Sequence, residues 1–434
     1  MRRWMIVALA VSLAVVVAIV AVVLWTRRDP DEAAPTPQLI GFSLDRTPVD
    51  RWRITTSADL GLPDDVSIGK SFGSSGDRAY FVTECGSRCG GGFVYGVDLR
   101  SGARLFTPVL LDGSDDHTCH LNGPSAAICL SGKRVWVVDL ERGSVSHSGD
   151  TDLQEDGVDG PIVKSVGNPR GETRLVATVP GKGVYGVGST AQLTWFVPGS
   201  GQLVLLPPTV TDAAPLTLAT QIPTPDAPRY RVFSVVDGTE KTPKPPDGTT
   251  LHRAVVYPGG FAYQYEAGAT AGVLFYNTAG ALQAQHELKG YNLLDNIAVP
   301  VVLDQPVFRV YAPDGQQRLE LPAADALYRA PQFRVVGNDL YVESGQAWQQ
   351  WNLQTGQAGA TCPLDFTHFV GSDGRIVLSE EYHGYTRDVI AVDTANCQER
   401  WRITVDGRDD VVEQVGTALI HRTAHELAAL RQPS

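Results

Sequence analysis

From Ile40 onward the chain alternates short runs of β-branched and aromatic residues with clusters of Gly, Pro, Asn and Asp, and no stretch keeps a helical period for long. The pattern predicts an all-β fold. One unit recurs: an apolar strand, a tight polar turn, then a second strand, as in FVYGVDLRSGARLF from Phe93, VWVVDLERGSVSH from Val135 and VIAVDTANCQERWRI from Val389. Further copies begin at Leu193, Val273, Val307 and Trp348. The turn position falls at Gly102, Gly143, Gly201, Gly280, Gly315, Gly356 and Cys397, at spacings of 41, 58, 79, 35, 41 and 41 residues. Glycine there supplies the positive φ that tight hairpins need. The 79-residue interval contains RYRVFSVVDGTEK, which reads either as a degenerate further unit or as an insertion.

Repeats of about 40 to 50 residues built from short strands predict a β-propeller, because a four-stranded blade buries its two faces only against neighbours. Such a ring must close. The pentapeptide RWRIT occurs twice, at Arg51 and at Arg400. The second copy follows the turn at Cys397 as an outer strand. After it the chain supplies VVEQV, TALIHRT and HELAAL, three strands of a final blade with no fourth. The first copy precedes any complete unit. Trp52 and Ile54 are therefore expected to complete the last blade, as Trp401 completes the one before it. Seven units plus this closing blade give an expected count of eight blades, with seven as the alternative.

The first 28 residues differ from the rest. No charge separates Arg3 from Arg27, and Trp4 and Trp25 stand near the edges of this apolar stretch. About 20 apolar residues cross a bilayer as a helix, and aromatic residues favour its interfaces. Residues 1–28 are thus expected to form an N-terminal transmembrane anchor, 29–40 a polar Pro-containing linker, and 41–434 an extracytoplasmic propeller. The expected site is the cell membrane, crossed once, with the N-terminus cytoplasmic. Six cysteines fit an oxidising compartment. Local pairing would join Cys85 to Cys89, Cys119 to Cys129 and Cys362 to Cys397; zinc is the competing use, since His117 and His120 flank Cys119.

A formal charge of -12 gives no electrostatic footprint for nucleic acid, whose phosphates are bound by Lys and Arg.

The D-L-x-x-G and N-L-Q-T-G turns, with an aromatic four residues after the glycine position, resemble the repeat of the PQQ-like β-propeller family, which includes BamB-type assembly factors and quinoprotein alcohol dehydrogenases. Matching residues are Asp98, Asp139, Asn352 and Asp393; Gly102, Gly143 and Gly356; and Phe106, Trp401 and Trp52. The aromatic gives way to His147, Leu205, Ala284, Leu319 and Ala360 in the other units. The resemblance implies a β-propeller, commonly of eight blades. The quinoprotein enzymes carry a disulfide between adjacent cysteines, and no two cysteines are adjacent here. No cofactor, and in particular no PQQ, is expected.

The expected function is a non-catalytic binding or assembly scaffold whose partner is an envelope protein or a cell-wall component. The alternative is a ligand sensor or a metal-dependent enzyme with its site in the channel. For the latter, LDGSDDHTCHL gathers Asp112, Asp115, Asp116 and His117, a candidate calcium site without EF-hand spacing. EEYHGYTRD, with Glu380, Glu381, His383 and Asp388, reads as a polar hairpin loop. GKSFG around Ser71 lacks the strand-turn-helix that a nucleophile elbow needs. GKGVYGVG from Gly181 lacks a βαβ unit and reads as a loop or bulged strand.

Overall fold

The computed structural model describes residues 39–434 apart from 84–89, 114–116, 157–159, 168–172, 205–215, 226–227, 289–290, 296, 324–330, 385 and 408. The expected membrane segment lies outside these residues, and among them no helix is long and apolar enough to cross a membrane.

The described strands form nine antiparallel sheets, eight with four strands and one with three. In chain order they are blade 1 (70–112), blade 2 (118–150), blade 3 (162–198), blade 4 (203–234), blade 5 (249–287), blade 6 (291–322), blade 7 (333–362), blade 8 (369–406) and blade 9 (411–431 with 49–55). First strands of neighbouring blades contact one another between blades 1 and 2, 5 and 6, 8 and 9, and 9 and 1, so the first strand is the inner one.

Alternation along each strand buries residues on both blade faces, and the buried side chains sort into nine clusters. Each cluster joins one blade to the next. Val137 and Leu130 of blade 2, for instance, pack with Val163 and Leu175 of blade 3. The ninth cluster places Ile54, Ile420 and Leu427 of blade 9 against Ala79 and Phe81 of blade 1, so the ring is closed.

Closure is made by the strand Val49–Thr55, which pairs antiparallel with Glu426–Arg431. The segment before it is also pinned: Gly41 N–H donates to the Thr417 carbonyl at 2.8 Å, and the Trp401 indole donates to the Leu44 carbonyl at 2.6 Å.

The expected count of eight blades, or seven, is corrected to nine. The cause is a misplaced turn in blade 3. Its third and fourth strands, Gly183–Val187 and Leu193–Pro198, are joined through Ala191, which has a φ of 59°. Gly201, read from the sequence as that turn, instead lies between blades 3 and 4. The interval assigned to one irregular unit therefore holds a blade of its own, with strands Leu203–Val204, Leu218–Gln221 and Arg231–Ser234. Its turn glycine is Gly238, and a bridge between Phe233 and Glu240 extends the pairing beyond it. Blade 4 belongs to the segment that the sequence left as a degenerate unit or an insertion.

Candidate functional site

The repeat aromatic has a structural use. It leaves the outer strand of one blade and stands over the turn glycine of the next. A Cβ on Gly102 in blade 1 would lie 2.7 Å from Trp52 Cδ2, and one on Gly238 in blade 4 would lie 2.6 Å from Trp195 Cε3. The indoles donate to turn carbonyls as well, Trp52 to Leu99 at 3.0 Å and Trp195 to Val236 at 3.2 Å.

Between blades 2 and 3 this pair is lost on both sides. Blade 2 carries His147 at the aromatic position, and blade 3 carries Ala191 at the glycine position. Between them lies a groove of about 720 Å³, lined by Val135, His147, Asp150, Gln154, Ala191 and Leu193 among others. Leu193 and Phe196 on the outer strand of blade 3, and Val236 beyond it in blade 4, remain exposed at 40%, 45% and 51%.

The inner strands of blades 2 and 3 hold a second constellation. Ser165 Oγ lies 3.0 Å from His120 Nδ1, while His120 Nε2 lies 2.9 and 3.1 Å from the two oxygens of Glu155. With the ring proton on Nε2 directed to the carboxylate, Nδ1 accepts from the serine hydroxyl. This arrangement can hold and move a proton at Ser165 Oγ. Sequence reasoning used His120 as a possible metal ligand and missed Ser165 and Glu155, which are brought to it from 45 and 35 residues away. No local motif marks such separations.

The metal candidates are only partly described. Asp115 and Asp116 lie outside the described residues. Asp112 accepts from the Trp136 indole at 3.0 Å and sits 3.6 Å from Arg134, while the His117 ring packs against Trp136 at 5.1 Å. The Trp136 hydrogen bond and then the Arg134 charge hold the Asp112 carboxyl below its usual range. Among the described residues, no group of three or more His, Cys, Asp or Glu is placed to hold a metal ion.

The structure joins Cys119 to Cys129 within blade 2 and Cys362 of blade 7 to Cys397 of blade 8; Cys85 and Cys89 lie outside the described residues. Cys397 has a φ of 60° and occupies the turn-glycine position. Its disulfide thus stands where an aromatic over a glycine joins other blades.

Ser71 lies in the inner strand Lys70–Ser75, and Gly183–Val187 is a strand with a register shift between Tyr185 and Val187. Glu380, Glu381 and His383 end the strand Ile376–His383, which makes a hairpin with Thr386–Asp393. There Arg402 contacts Asp388 at 2.7 Å and Glu381 at 3.3 Å, and His383 lies 3.6 Å from Asp388.

A closed ring of nine blades fastened by its N-terminal strand defines a β-propeller of unusual blade number. Residues 26–433 match the conjugation-associated 9-bladed beta-propeller domain family, and the chain belongs to that family. It is 30% identical over 451 residues to an uncharacterized protein of Mycolicibacterium smegmatis strain MKD8, covering 93% of this chain and 90% of the relative. Among solved structures it is similar to BamB from Moraxella catarrhalis, with 13% identity, 92% of this chain and 96% of that chain covered, and a TM-score of 0.26. It is also similar to a eukaryotic initiation factor, with 12% identity, 80% and 90% covered, and a TM-score of 0.44. The propeller part of the sequence resemblance is shown; the family matched is the nine-bladed conjugation-associated one.

Proposed function

We propose that the protein is a binding platform of a bacterial conjugation apparatus, placed in the cell envelope with its propeller outside the cytoplasm. The observation that carries this reading is membership of a conjugation-associated family by a rigid ring whose repeat packing lapses at the groove between blades 2 and 3. Loops and grooves on a rigid scaffold serve recognition. The partner is an envelope protein or a cell-wall component. The uncharged stretch between Arg3 and Arg27 supports location at the membrane, and two disulfides support an oxidising compartment. Removal of the gene from donor cells is expected to abolish DNA transfer while growth is unchanged. A photo-crosslinking residue in place of Phe196 is expected to trap one envelope partner. Unchanged transfer in the deletion strain refutes the reading.

One observation favours a second reading as a hydrolase: the Ser165, His120 and Glu155 relay. A fluorophosphonate probe that labels the protein, and fails to label the Ser165→Ala variant, would support it; absence of labelling removes it.

A further inference from the structure

The two RWRIT strands are equivalent in three dimensions, and the comparison exposes an inversion of charge at the ring seam. In blade 8, Ala391 pairs with Trp401 and Val392 with Glu399, which leaves Arg400 as the extra residue of a β-bulge. In blade 9, Ala429 pairs with Trp52 and Leu430 with Asp50, which leaves Arg51 as the extra residue. Even the flanking ion pairs repeat, Arg402 with Glu399 at 2.9 Å and Arg53 with Asp50 at 2.8 Å. A bulge re-aims the side chain that it carries.

The equivalence then breaks. Bulged Arg400 binds the carboxylate of Asp393, a side chain with no exposure, which Arg375 also holds at 2.7 Å. Asp393 pairs with Gln398; the residue in its place in blade 9 is Arg431, paired with Val49. The seam therefore presents two arginines where blade 8 presents an arginine and an aspartate. Among the described residues no carboxylate forms an ion pair with Arg51 or Arg431.

Both arginines line a pocket of about 380 Å³ together with Arg100. Asp77, also in the lining, is 2.5 Å from Arg100. Phe42, Leu99 and Leu430 contribute apolar surface beside the charges. Three arginines meet here in a chain whose formal charge is -12.

We propose that this seam pocket binds an acidic segment of a protein partner, with an Asp or Glu carboxylate taking the place that Asp393 fills in blade 8 and a neighbouring apolar side chain lying on Phe42, Leu99 and Leu430. Guanidinium groups bind carboxylates through paired, charge-assisted hydrogen bonds, and the apolar wall distinguishes a peptide from a bare anion. The proposal rests on the platform reading and names one of its contact sites.

The test uses the full-length protein and a fluorescein-labelled peptide of alternating Glu and Leu, followed by anisotropy. Saturable binding is expected, weakened about tenfold in Arg51→Gln and in Arg431→Gln, and absent for the Gln and Leu counterpart. Unchanged melting temperatures in both variants would separate lost binding from lost folding. Equal affinity for wild type and variants, or binding of inorganic phosphate without binding of the peptide, overturns the proposal. If deletion of the gene abolishes DNA transfer while the double variant binds the peptide as wild type does, the seam site falls and the platform reading stands.

Discussion

Trp52 stands over Gly102 across the point where the two ends of the ring meet: a Cβ on Gly102 would come within 2.7 Å of the indole, whose N–H donates to Leu99. The same relation between Trp195 and Gly238 joins blades 3 and 4, well away from the seam. The contact that closes the ring is thus the contact that builds it.

This pairing predicts strong coupling. Gly102 has a φ of 76°, so Gly102→Ala meets both backbone strain and the indole, and is expected to cost about 2 kcal/mol. Trp52→Ala is expected to cost about 3 kcal/mol. In the double variant the clash is absent, so chemical denaturation should show a combined cost smaller than the sum by about 1 kcal/mol. Simple additivity would contradict the contact.

Ala191 makes the opposite prediction. At a φ of 59° it carries a strain that glycine does not, so Ala191→Gly is expected to stabilise the protein by up to about 1 kcal/mol. Ala→Gly ordinarily destabilises. A loss of stability would show that blade 3 does not turn there.

The carboxylate of Asp393 gives a pH signature. Burial pushes its pKa up, but hydrogen bonds from Arg400 and Arg375 outweigh this and hold it below the usual carboxylate range. A depressed folded pKa contributes stability that is fully present above the unfolded value, near pH 4, and is lost as pH falls through the folded one. Asp393→Asn is expected to cost about 1 to 2 kcal/mol at pH 7, because both arginines left behind reach solvent. The gap to wild type should narrow below about pH 4, read from denaturation curves at each pH.

The disulfide between Cys362 and Cys397 closes a separation of 35 residues. Its removal by Cys362→Ala with Cys397→Gly is expected to cost about 3 kcal/mol; glycine at 397 suits the positive φ there. Native-state hydrogen exchange should show the loss first at the boundary of blades 7 and 8.

Most of this architecture is written locally. The second RWRIT was legible as an outer strand because its tryptophan falls four residues after a turn position, and the first because the three strands after Asp406 lacked a partner. Blade 3 was not legible, because an alanine with positive φ carries no sequence mark, while Gly201 nearby imitates a turn although it only links two blades. With the turn of blade 3 set at Gly201, the segment that carries Gly238 stayed undecided between a degenerate unit and an insertion. The groove lies at the same place: His147 looks like decay of the repeat and Ala191 falls at no expected turn, and only their juxtaposition shows the space between them. Ser165 and Glu155 reach His120 through inter-blade packing, which no spacing encodes. Arg431 carries no sequence mark of its own; only the register of blade 9 against blade 8 sets it in the place of Asp393.

The most direct measurement compares chains that begin at Leu39 and at Ser57 by thermal unfolding. The first keeps the strand Val49–Thr55 and the contacts of Gly41 and Leu44; the second loses the outer strand of blade 9 and Trp52. The ring account predicts cooperative melting for the first and a large loss of stability, or failure to fold, for the second. Equal melting temperatures would contradict it.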